Sequence, residues 1–367
     1  MNARLRKTSG LAVVIVALLL GCLTATKPPS GSGGSLTTGH DIYAAGSYTN
    51  STGCNIPGYW KNGTWIGLTP LDATRNAVVQ SLAVSGNDVY AAGYCESSST
   101  AEIPGYWKNG TWNGLTPLLG SKANAIVVVG SDVYVAGFIH DDDSGLKVAG
   151  YWKNGTWIGL TPLDAKQNAL VLSLVVARND VYAAGWSANS SGALVAGYWK
   201  NGTWNGLASP DTTNDSAVYA LAVSGGDVYS AGYIQVSATE FVPGYWKNNT
   251  WNELTSLNLS GFSAATSVVV SGSDVYAGGV TQNGSVPFHW IPGYWKNGTW
   301  NALTPLDATE SSFVWSMVVS GNDVYAAGYS GNSSGVFAGY WKNGIWHGLT
   351  PLDGAKVSNV SAFSVVP

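Results

Sequence analysis

Large and small side chains alternate along seven similar units of the chain, with the period of two that is typical of β-strands. In the run of residues 78–84, the large Leu82 and Val84 alternate with the small Ser81 and Ala83. A second strand-like segment follows each such run and opens with an aspartate, at Asp41, Asp88, Asp132, Asp180, Asp227, Asp274 and Asp323. Successive copies of this aspartate stand 44 to 49 residues apart, a period typical of propeller blades. The pattern predicts four short strands, a to d, in each unit.

Strands c and d of every unit are predicted to form a hairpin. The shared segment of strand c opens at Gly58, Gly105, Gly150, Gly197, Gly244, Gly293 and Gly339. An Asn-Gly pair follows Tyr-Trp-Lys in six units, and Asn248-Asn249 replaces it in the other. Asn-Gly between strand-forming residues is the strongest short hairpin signal. Fourteen of the 17 tryptophans fall at repeat positions of these two strands, where we expect them to form the core.

The two ends of the chain predict a closed ring. The repeat begins at Asp41 in the strand b position, and residues 361–366 match strand a. The last strand would then complete the blade that the first residues begin, leaving no free sheet edge. The predicted fold is all-β: a seven-bladed β-propeller with four antiparallel strands per blade, closed by the C-terminal strand joining the N-terminal blade.

The repeat resembles the kelch repeat in the Tyr and Gly of strand b and in the later Tyr and Trp of strands c and d. The double glycine typical of that family is present only as Gly278-Gly279, and the other six units carry Ala-Gly. The units are still more similar to the Val-Tyr-Ala-Gly-Tyr and Tyr-Trp-Lys-Asn-Gly repeats of uncharacterised bacterial exported lipoproteins. The resemblance covers residues 41–367 and implies a propeller and an exported location, but no particular activity.

The N-terminal residues have the features of an export signal. Arg4, Arg6 and Lys7 precede an apolar run, residues 11–20, which is too short to cross a bilayer as a helix. The run leads into Leu19-Leu20-Gly21-Cys22, which resembles the lipobox of bacterial lipoproteins. An ordinary secretory signal cut elsewhere is the alternative.

These features divide the chain into three parts. We predict a lipoprotein signal peptide at residues 1–21, a flexible tether at residues 22–40 and the propeller at residues 41–367. Lipid on Cys22 would anchor the protein to the bacterial cell envelope, at the outer membrane if the source is Gram-negative.

Composition and cysteine content limit the expected binding partners and disulfides. Charged residues make up 10% of the chain and the net charge is −4, so no basic surface for nucleic acid is expected. Beyond the lipidated cysteine, Cys54 and Cys95 lie in or beside the same loop position of consecutive units. Such a pair in an exported protein suggests a disulfide, with two unpaired thiols as the alternative. We expect a monomer.

The connections between strands indicate where a ligand would bind. The a–b and c–d turns are short and nearly the same in all units, whereas the b–c and d–a connections are longer and variable. In a four-stranded blade these two kinds of connection lie at opposite ends. Because binding residues concentrate on variable loops held by a rigid scaffold, we place the site on the long-loop face, over the mouth of the central channel.

Aromatic departures from the repeat supply the candidate ligand-binding residues, which are Phe288, His289, Trp290, Trp315 and Tyr219. Trp315 lies at a strand a position where the units share no chemistry; its counterparts are Gln80, Asn124, Leu172, Tyr219, Thr266 and Ser361. Phe288-His289-Trp290 lies in the b–c loop of the unit before Trp315. Together they could form an exposed patch that stacks on sugar rings or anchors a protein loop. The alternative is a cap of loop aromatics packed on the blade.

Metal binding and catalysis have little support in the sequence. Asp141 and Asp143 could offer oxygen ligands to Ca²⁺, but no bidentate Glu follows at the spacing of a calcium loop. A solvated acidic loop is favoured, and no metal or cofactor is predicted. The four histidines are scattered, and no catalytic triad, metal-spaced His/Cys cluster or phosphate loop is recognisable.

The sequence therefore favours a lipid-anchored module that binds a protein or a glycan through its long-loop face. A hydrolase or lyase acting on polysaccharide at the same channel mouth is one alternative. A purely structural envelope scaffold is the other.

Overall fold

The computed structural model describes residues 40–97, 101–116, 120–209, 213–258, 261–284, 287–351 and 357–366. The predicted signal peptide, Cys22 and all of the predicted tether except His40 lie outside the described residues. A membrane-spanning helix is not found in the described part of the chain.

The described residues form 28 β-strands. In chain order they are β1 (Asp41–Thr49), β2 (Asn55–Lys61), β3 (Thr64–Gly67), β4 (Ala77–Ser85), β5 (Asp88–Glu96), β6 (Glu102–Lys108), β7 (Thr111–Gly114), β8 (Lys122–Val129), β9 (Asp132–His140), β10 (Lys147–Lys153), β11 (Thr156–Gly159), β12 (Ala169–Ala177), β13 (Asp180–Ala188), β14 (Leu194–Lys200), β15 (Thr203–Gly206), β16 (Ser216–Ser224), β17 (Asp227–Gln235), β18 (Phe241–Lys247), β19 (Thr250–Glu253), β20 (Ser263–Ser271), β21 (Asp274–Gln282), β22 (Trp290–Lys296), β23 (Thr299–Ala302), β24 (Ser312–Ser320), β25 (Asp323–Asn332), β26 (Gly335–Lys342), β27 (Ile345–Gly348) and β28 (Ser358–Val366).

These strands form seven antiparallel four-stranded sheets, each with the order a-b-c-d. Blade 1 has the order β28-β1-β2-β3, and blades 2 to 7 each take four consecutive strands, from β4–β7 to β24–β27. Strand a of every blade contacts strand a of both neighbouring blades, so these seven strands surround the axis of a ring. The all-β, seven-bladed propeller predicted from the repeat is confirmed.

Two kinds of interaction close the ring. β28 pairs antiparallel with β1, from Asp41 opposite Val366 to Tyr48 opposite Ser358. In addition, Nε1 of Trp60 in blade 1 donates a hydrogen bond to the carbonyl oxygen of Thr350, at the end of blade 7, at 2.8 Å. The predicted joining of the C-terminal strand to the N-terminal blade is therefore confirmed.

The repeated tryptophans pack within and between blades. The seven strand c tryptophans are fully buried; they are Trp60, Trp107, Trp152, Trp199, Trp246, Trp295 and Trp341. Each donates its indole N–H to the residue two positions after the end of strand d of the preceding blade, as Trp199 does to the carbonyl oxygen of Thr161 at 2.6 Å. The strand d tryptophan lies over a strand c glycine, where a Cβ on Gly58 would collide with the Trp65 ring. The repeated Gly and Trp residues are therefore required by packing.

Every inner strand carries a β-bulge. In blade 2 the pairing of β4 with β5 skips Gln80, between Val79 and Ser81, and the other six blades show the same shift. Strand a comes so close to strand b there that a Cβ on Gly93 would overlap the Val78 carbonyl oxygen. The glycine of each Ala-Gly or Gly-Gly pair is therefore required by the bulge opposite it.

The short a–b and c–d turns lie together at one end of the ring and are joined by the repeated aspartate. Asp41 accepts a hydrogen bond from Nδ2 of Asn62 at 2.8 Å and pairs with Nζ of Lys61 at 2.8 Å. The same ion pair occurs in all seven blades, at 2.8–3.1 Å; the others are Asp88–Lys108, Asp132–Lys153, Asp180–Lys200, Asp227–Lys247, Asp274–Lys296 and Asp323–Lys342. Hydrogen bonds from Lys61 and then Asn62 lower the pKa of Asp41. The aspartates thus stabilise turns, as expected from their positions.

Candidate functional site

The longer b–c and d–a connections lie at the opposite end of the ring, and they hold neighbouring blades together. In the connection between β3 and β4, the Asn76 side-chain oxygen accepts the N–H of Asn55 in blade 1 at 2.9 Å. The Asn76 carbonyl oxygen accepts the N–H of Glu96 in blade 2 at 2.8 Å. Asn168 and Asp215 make equivalent contacts between blades 3 and 4 and between blades 4 and 5. The variable loops are therefore built on a fixed frame.

A cavity of about 720 Å³ opens on this long-loop face between blades 7 and 1. We call it the blade 7 cavity. Its described lining includes Glu310 before β24, Trp315 in β24, Tyr329 and Asn332 in β25, and Asn359 in β28. Small-molecule sites typically have volumes of about 300–1,000 Å³. The cavity thus has the size of a ligand site and lies on the face where the sequence places one.

Trp315 reaches this cavity from the bulge of its strand. It occupies the skipped position of β24, as Gln80 does in β4. The side chains at all seven bulge positions are buried, and Trp315 is only 8% exposed. This exposure is lower than an open channel mouth implies. Nε1 of Trp315 is buried without a hydrogen-bond partner, and so is Oδ1 of Asn359, which belongs to the same lining.

Phe313 connects the two predicted tryptophans. The ring of Trp290 meets that of Phe313 edge-on at 5.4 Å, and Phe313 lies 4.1 Å from Trp315. The opposite side of the cluster is Tyr329, whose ring stacks on Phe313 at 6.1 Å. Phe313 is fully buried and contacts both rings, so Trp290 and Trp315 belong to one packed aromatic cluster. Burial raises the pKa of Tyr329 to about 12, so its phenol is neutral at physiological pH.

Tyr219 belongs to the far end of the same line of rings. It contacts Tyr233 at 5.5 Å, and from there contacts run through Phe241 and Phe262 to Trp290 at 5.3, 5.4 and 6.4 Å. We call the whole line the aromatic belt; its members are Tyr219, Tyr233, Phe241, Phe262, Trp290, Phe313, Trp315 and Tyr329. Burial raises the pKa of Tyr219 well above its ordinary value.

Phe288 and His289 lie beside the belt, in the b–c connection of blade 6. Phe288 is 60% exposed. His289 is held by the buried Asn283, whose Oδ1 accepts the His289 backbone N–H at 3.0 Å and whose Nδ2 lies 2.8 Å from Nδ1 of the imidazole. Of the predicted patch, Phe288 is therefore the largely exposed ring, and the clamp on His289 holds the loop next to it.

The two cysteines in the described residues are free thiols. Sγ of Cys54 donates to the Thr74 carbonyl oxygen at 3.3 Å, while Cys95 is fully buried and accepts the N–H of Leu71 at 3.5 Å. The suggested disulfide is thus not formed in this structure. Burial raises the pKa of Cys95 to about 11.

The acidic loop is arranged as a turn. Asp141 accepts a hydrogen bond from the Ser144 hydroxyl, and this bond lowers the pKa of the Asp141 carboxyl. Asp143 is exposed. Within the described ranges, no group of three or more His, Cys, Asp or Glu side chains is placed to hold a metal ion.

Comparison with known proteins adds little to this description. No family model matches the chain, and no curated protein matches it. Among solved structures the chain is similar to "Structure of YjhT", with a TM-score of 0.42 and 12% identity over 78% of this chain and 96% of that chain. The seven sheets and their closure therefore define the class of this protein, a seven-bladed β-propeller.

Proposed function

We propose that this chain is a binding module that recognises a glycan or a protein through its long-loop face. The observation that carries the proposal is the blade 7 cavity, which lies beside the aromatic belt on that face. Concave sites lined by aromatic rings and a few polar groups are the usual form of ligand sites. A propeller fold is compatible with such a role.

The opposite face supports the same choice. At the short-turn end, each repeated aspartate is already bound to a lysine and an asparagine of its own blade. These seven clusters are alike, so they offer no feature that would select one ligand. The connections that vary in length and sequence between blades lie at the long-loop end.

Lipid anchoring would direct the binding face away from the membrane. β1 begins and β28 ends at the short-turn end of the ring, so the chain before Asp41 leaves from that end. If Cys22 is acylated, the tether of residues 22–40 would span about 25 Å on average, from about 5–6 Å multiplied by the square root of its length. We include export and attachment through Cys22 in the proposal; metabolic labelling with a fatty acid, abolished by Cys22→Ser, tests it.

A binding screen tests the recognition role. Residues 36–367 contain every described strand, so this soluble form would be applied to a glycan array and used to capture proteins from envelope extracts. Phe288→Ala changes the exposed ring on the long-loop face, and Lys247→Ser is the matched surface change at the short-turn end. We expect loss of a ligand's binding from long-loop changes such as Phe288→Ala or Glu310→Gln. A ligand sensitive only to Lys247→Ser would contradict the proposal.

A hydrolase or lyase that cleaves a polysaccharide is the second candidate, because Glu310 places a carboxylate at the cavity. Glycoside hydrolysis usually uses two carboxylates, and Glu310 is the one that the described lining provides. Binding is therefore favoured. Release of shortened sugars that Glu310→Gln abolishes would support the enzyme, whereas capture of envelope proteins that neither Phe288→Ala nor Glu310→Gln weakens would favour a scaffold.

A further inference from the structure

We propose that the blade 7 cavity is a saccharide site that takes a neutral sugar through Trp315, Asn359 and Glu310. This inference rests on the proposed function and narrows it to one ligand class at one place. The cavity lies between the b–c loop of blade 7, the connection that leads into β24, and the first residues of β28. It therefore spans the seam at which the ring closes.

The first argument is a pair of buried polar atoms. Nε1 of Trp315 is a donor and Oδ1 of Asn359 is an acceptor; both are buried without a hydrogen-bond partner, and both residues line the cavity. Buried polar atoms in proteins are nearly always paired, so each unpaired one needs an explanation. Both atoms are closed to water in this structure. A hydroxyl group both donates and accepts, so sugar hydroxyls could pair with each atom once a small turn of its side chain brings it to the cavity surface.

The second argument is the rigid aromatic side of the cavity. Phe313 lies beneath Trp315 and Tyr329 and contacts both rings, at 4.1 and 6.1 Å. Because Phe313 is fully buried, the two lining rings are supported from behind. Trp315 presents little of its surface, while Tyr329 is partly exposed and can meet the apolar C–H side of a pyranose.

The third argument is charge. Glu310 is the acidic residue of the described lining, and no Lys or Arg is among those residues. A carboxylate accepts strong hydrogen bonds from hydroxyl groups but repels another carboxylate. The site should therefore prefer neutral sugars over acidic ones such as glucuronate.

The site is particular to blade 7 because its residues are not those of the repeat. The counterparts of Trp315 in the other blades are Gln80, Asn124, Leu172, Tyr219, Thr266 and Ser361. Phe313 is likewise replaced by Val78 in blade 2. We therefore expect one saccharide site per chain.

Calorimetric titration of residues 36–367 tests the inference, with glucose, galactose, mannose, N-acetylglucosamine, cellobiose and glucuronate as probes. We expect at least one neutral sugar to bind with a stoichiometry of one, and glucuronate to bind more weakly. Trp315→Phe keeps a ring but removes the N–H, so the neutral sugar should lose about tenfold in affinity. Trp300→Phe is the matched control, since it removes another unpartnered buried indole N–H that lies away from the cavity.

Glu310→Gln keeps the test decisive if Trp315→Phe fails to fold, because Glu310 is exposed and its replacement is nearly the same shape. This variant should weaken the neutral sugar about fivefold and reduce the discrimination against glucuronate. Neutral sugar binding that both variants leave unchanged would overturn the site while leaving long-loop recognition in place. So would an absence of binding for every sugar up to about 10 mM, if the envelope screen yields a protein ligand that Phe288→Ala weakens. Failure of both screens would overturn the proposed function as well.

Discussion

Replacing Gly93 by alanine should destabilise the ring because of the bulge that faces it. A Cβ at this position would overlap the carbonyl oxygen of Val78 and lie 2.9 Å from its carbonyl carbon and 3.2 Å from Cα of Val79. Favourable carbon–carbon contacts lie at about 3.5–4.0 Å, so backbone and not a flexible side chain would have to move. Overpacking of this kind typically destabilises by about 1–3 kcal/mol. Because backbone atoms obstruct the new Cβ, we expect Gly93→Ala to lower the free energy of unfolding by about 3 kcal/mol.

The corresponding change in melting temperature can be worked out from the size of the ring. With about 2.1 cal/mol/K of unfolding entropy per residue, roughly 330 residues give about 0.7 kcal/mol/K, and the expected decrease is about 4 °C. Thermal unfolding followed by circular dichroism measures it. Gly67→Ala is the control, because a Cβ there would lie 3.6 Å from the nearest heavy atom, Nε1 of Trp65. The bulge argument fails if Gly93→Ala and Gly67→Ala melt within about 1 °C of each other.

Three further predictions concern pH, the thiols and the His289 loop. Lys61 lowers the pKa of Asp41, and Asp41 raises the pKa of Lys61. Their pairing therefore stabilises the fold above about pH 4 and below about pH 10.5. The melting temperature should fall outside this pH range, and a melting temperature that stays constant down to pH 2 would contradict the prediction. In the folded protein of residues 36–367, an alkylating reagent should modify Cys54 before Cys95, because Cys95 is fully buried and its thiol has a pKa of about 11. If mass spectrometry finds neither cysteine modified until a reductant is added, the two cysteines form a disulfide instead. Asn283→Ala should speed hydrogen exchange of the His289 amide about tenfold or more while the melting temperature is kept, and unchanged exchange would show that the clamp does not order the loop.

The fold could be predicted because every blade repeats the same packing problem. The buried strand c tryptophan, the strand d tryptophan over Gly58 and the strand b glycine opposite the bulge all recur at fixed spacing. Each repeat therefore indicated the same four-stranded blade. The match of residues 361–366 to strand a was enough to predict closure of the ring.

The candidate site was predicted less completely, since it depends on contacts that the period of two does not show. The bulge buries Trp315, which an alternating pattern alone would leave at an open channel mouth. Phe313 and Tyr329 were not singled out, although Phe313 departs from Val78 at the same position of blade 2. A position-by-position comparison of the seven units would have identified Phe241 and Phe262 in the same way, but not the cavity between blades 7 and 1.

The pairing of β28 with β1 also has a consequence for how this protein is made. Asp41 and Val366 are partners although they stand 325 positions apart in the chain. During synthesis or translocation, the sheet of blade 1 would have only β1, β2 and β3, and the edge of β1 would stay unpaired until β28 is available. Contacts of such long sequence separation form slowly. A chaperone that covers the unpaired edge of β1 during this time would keep it from pairing with other chains.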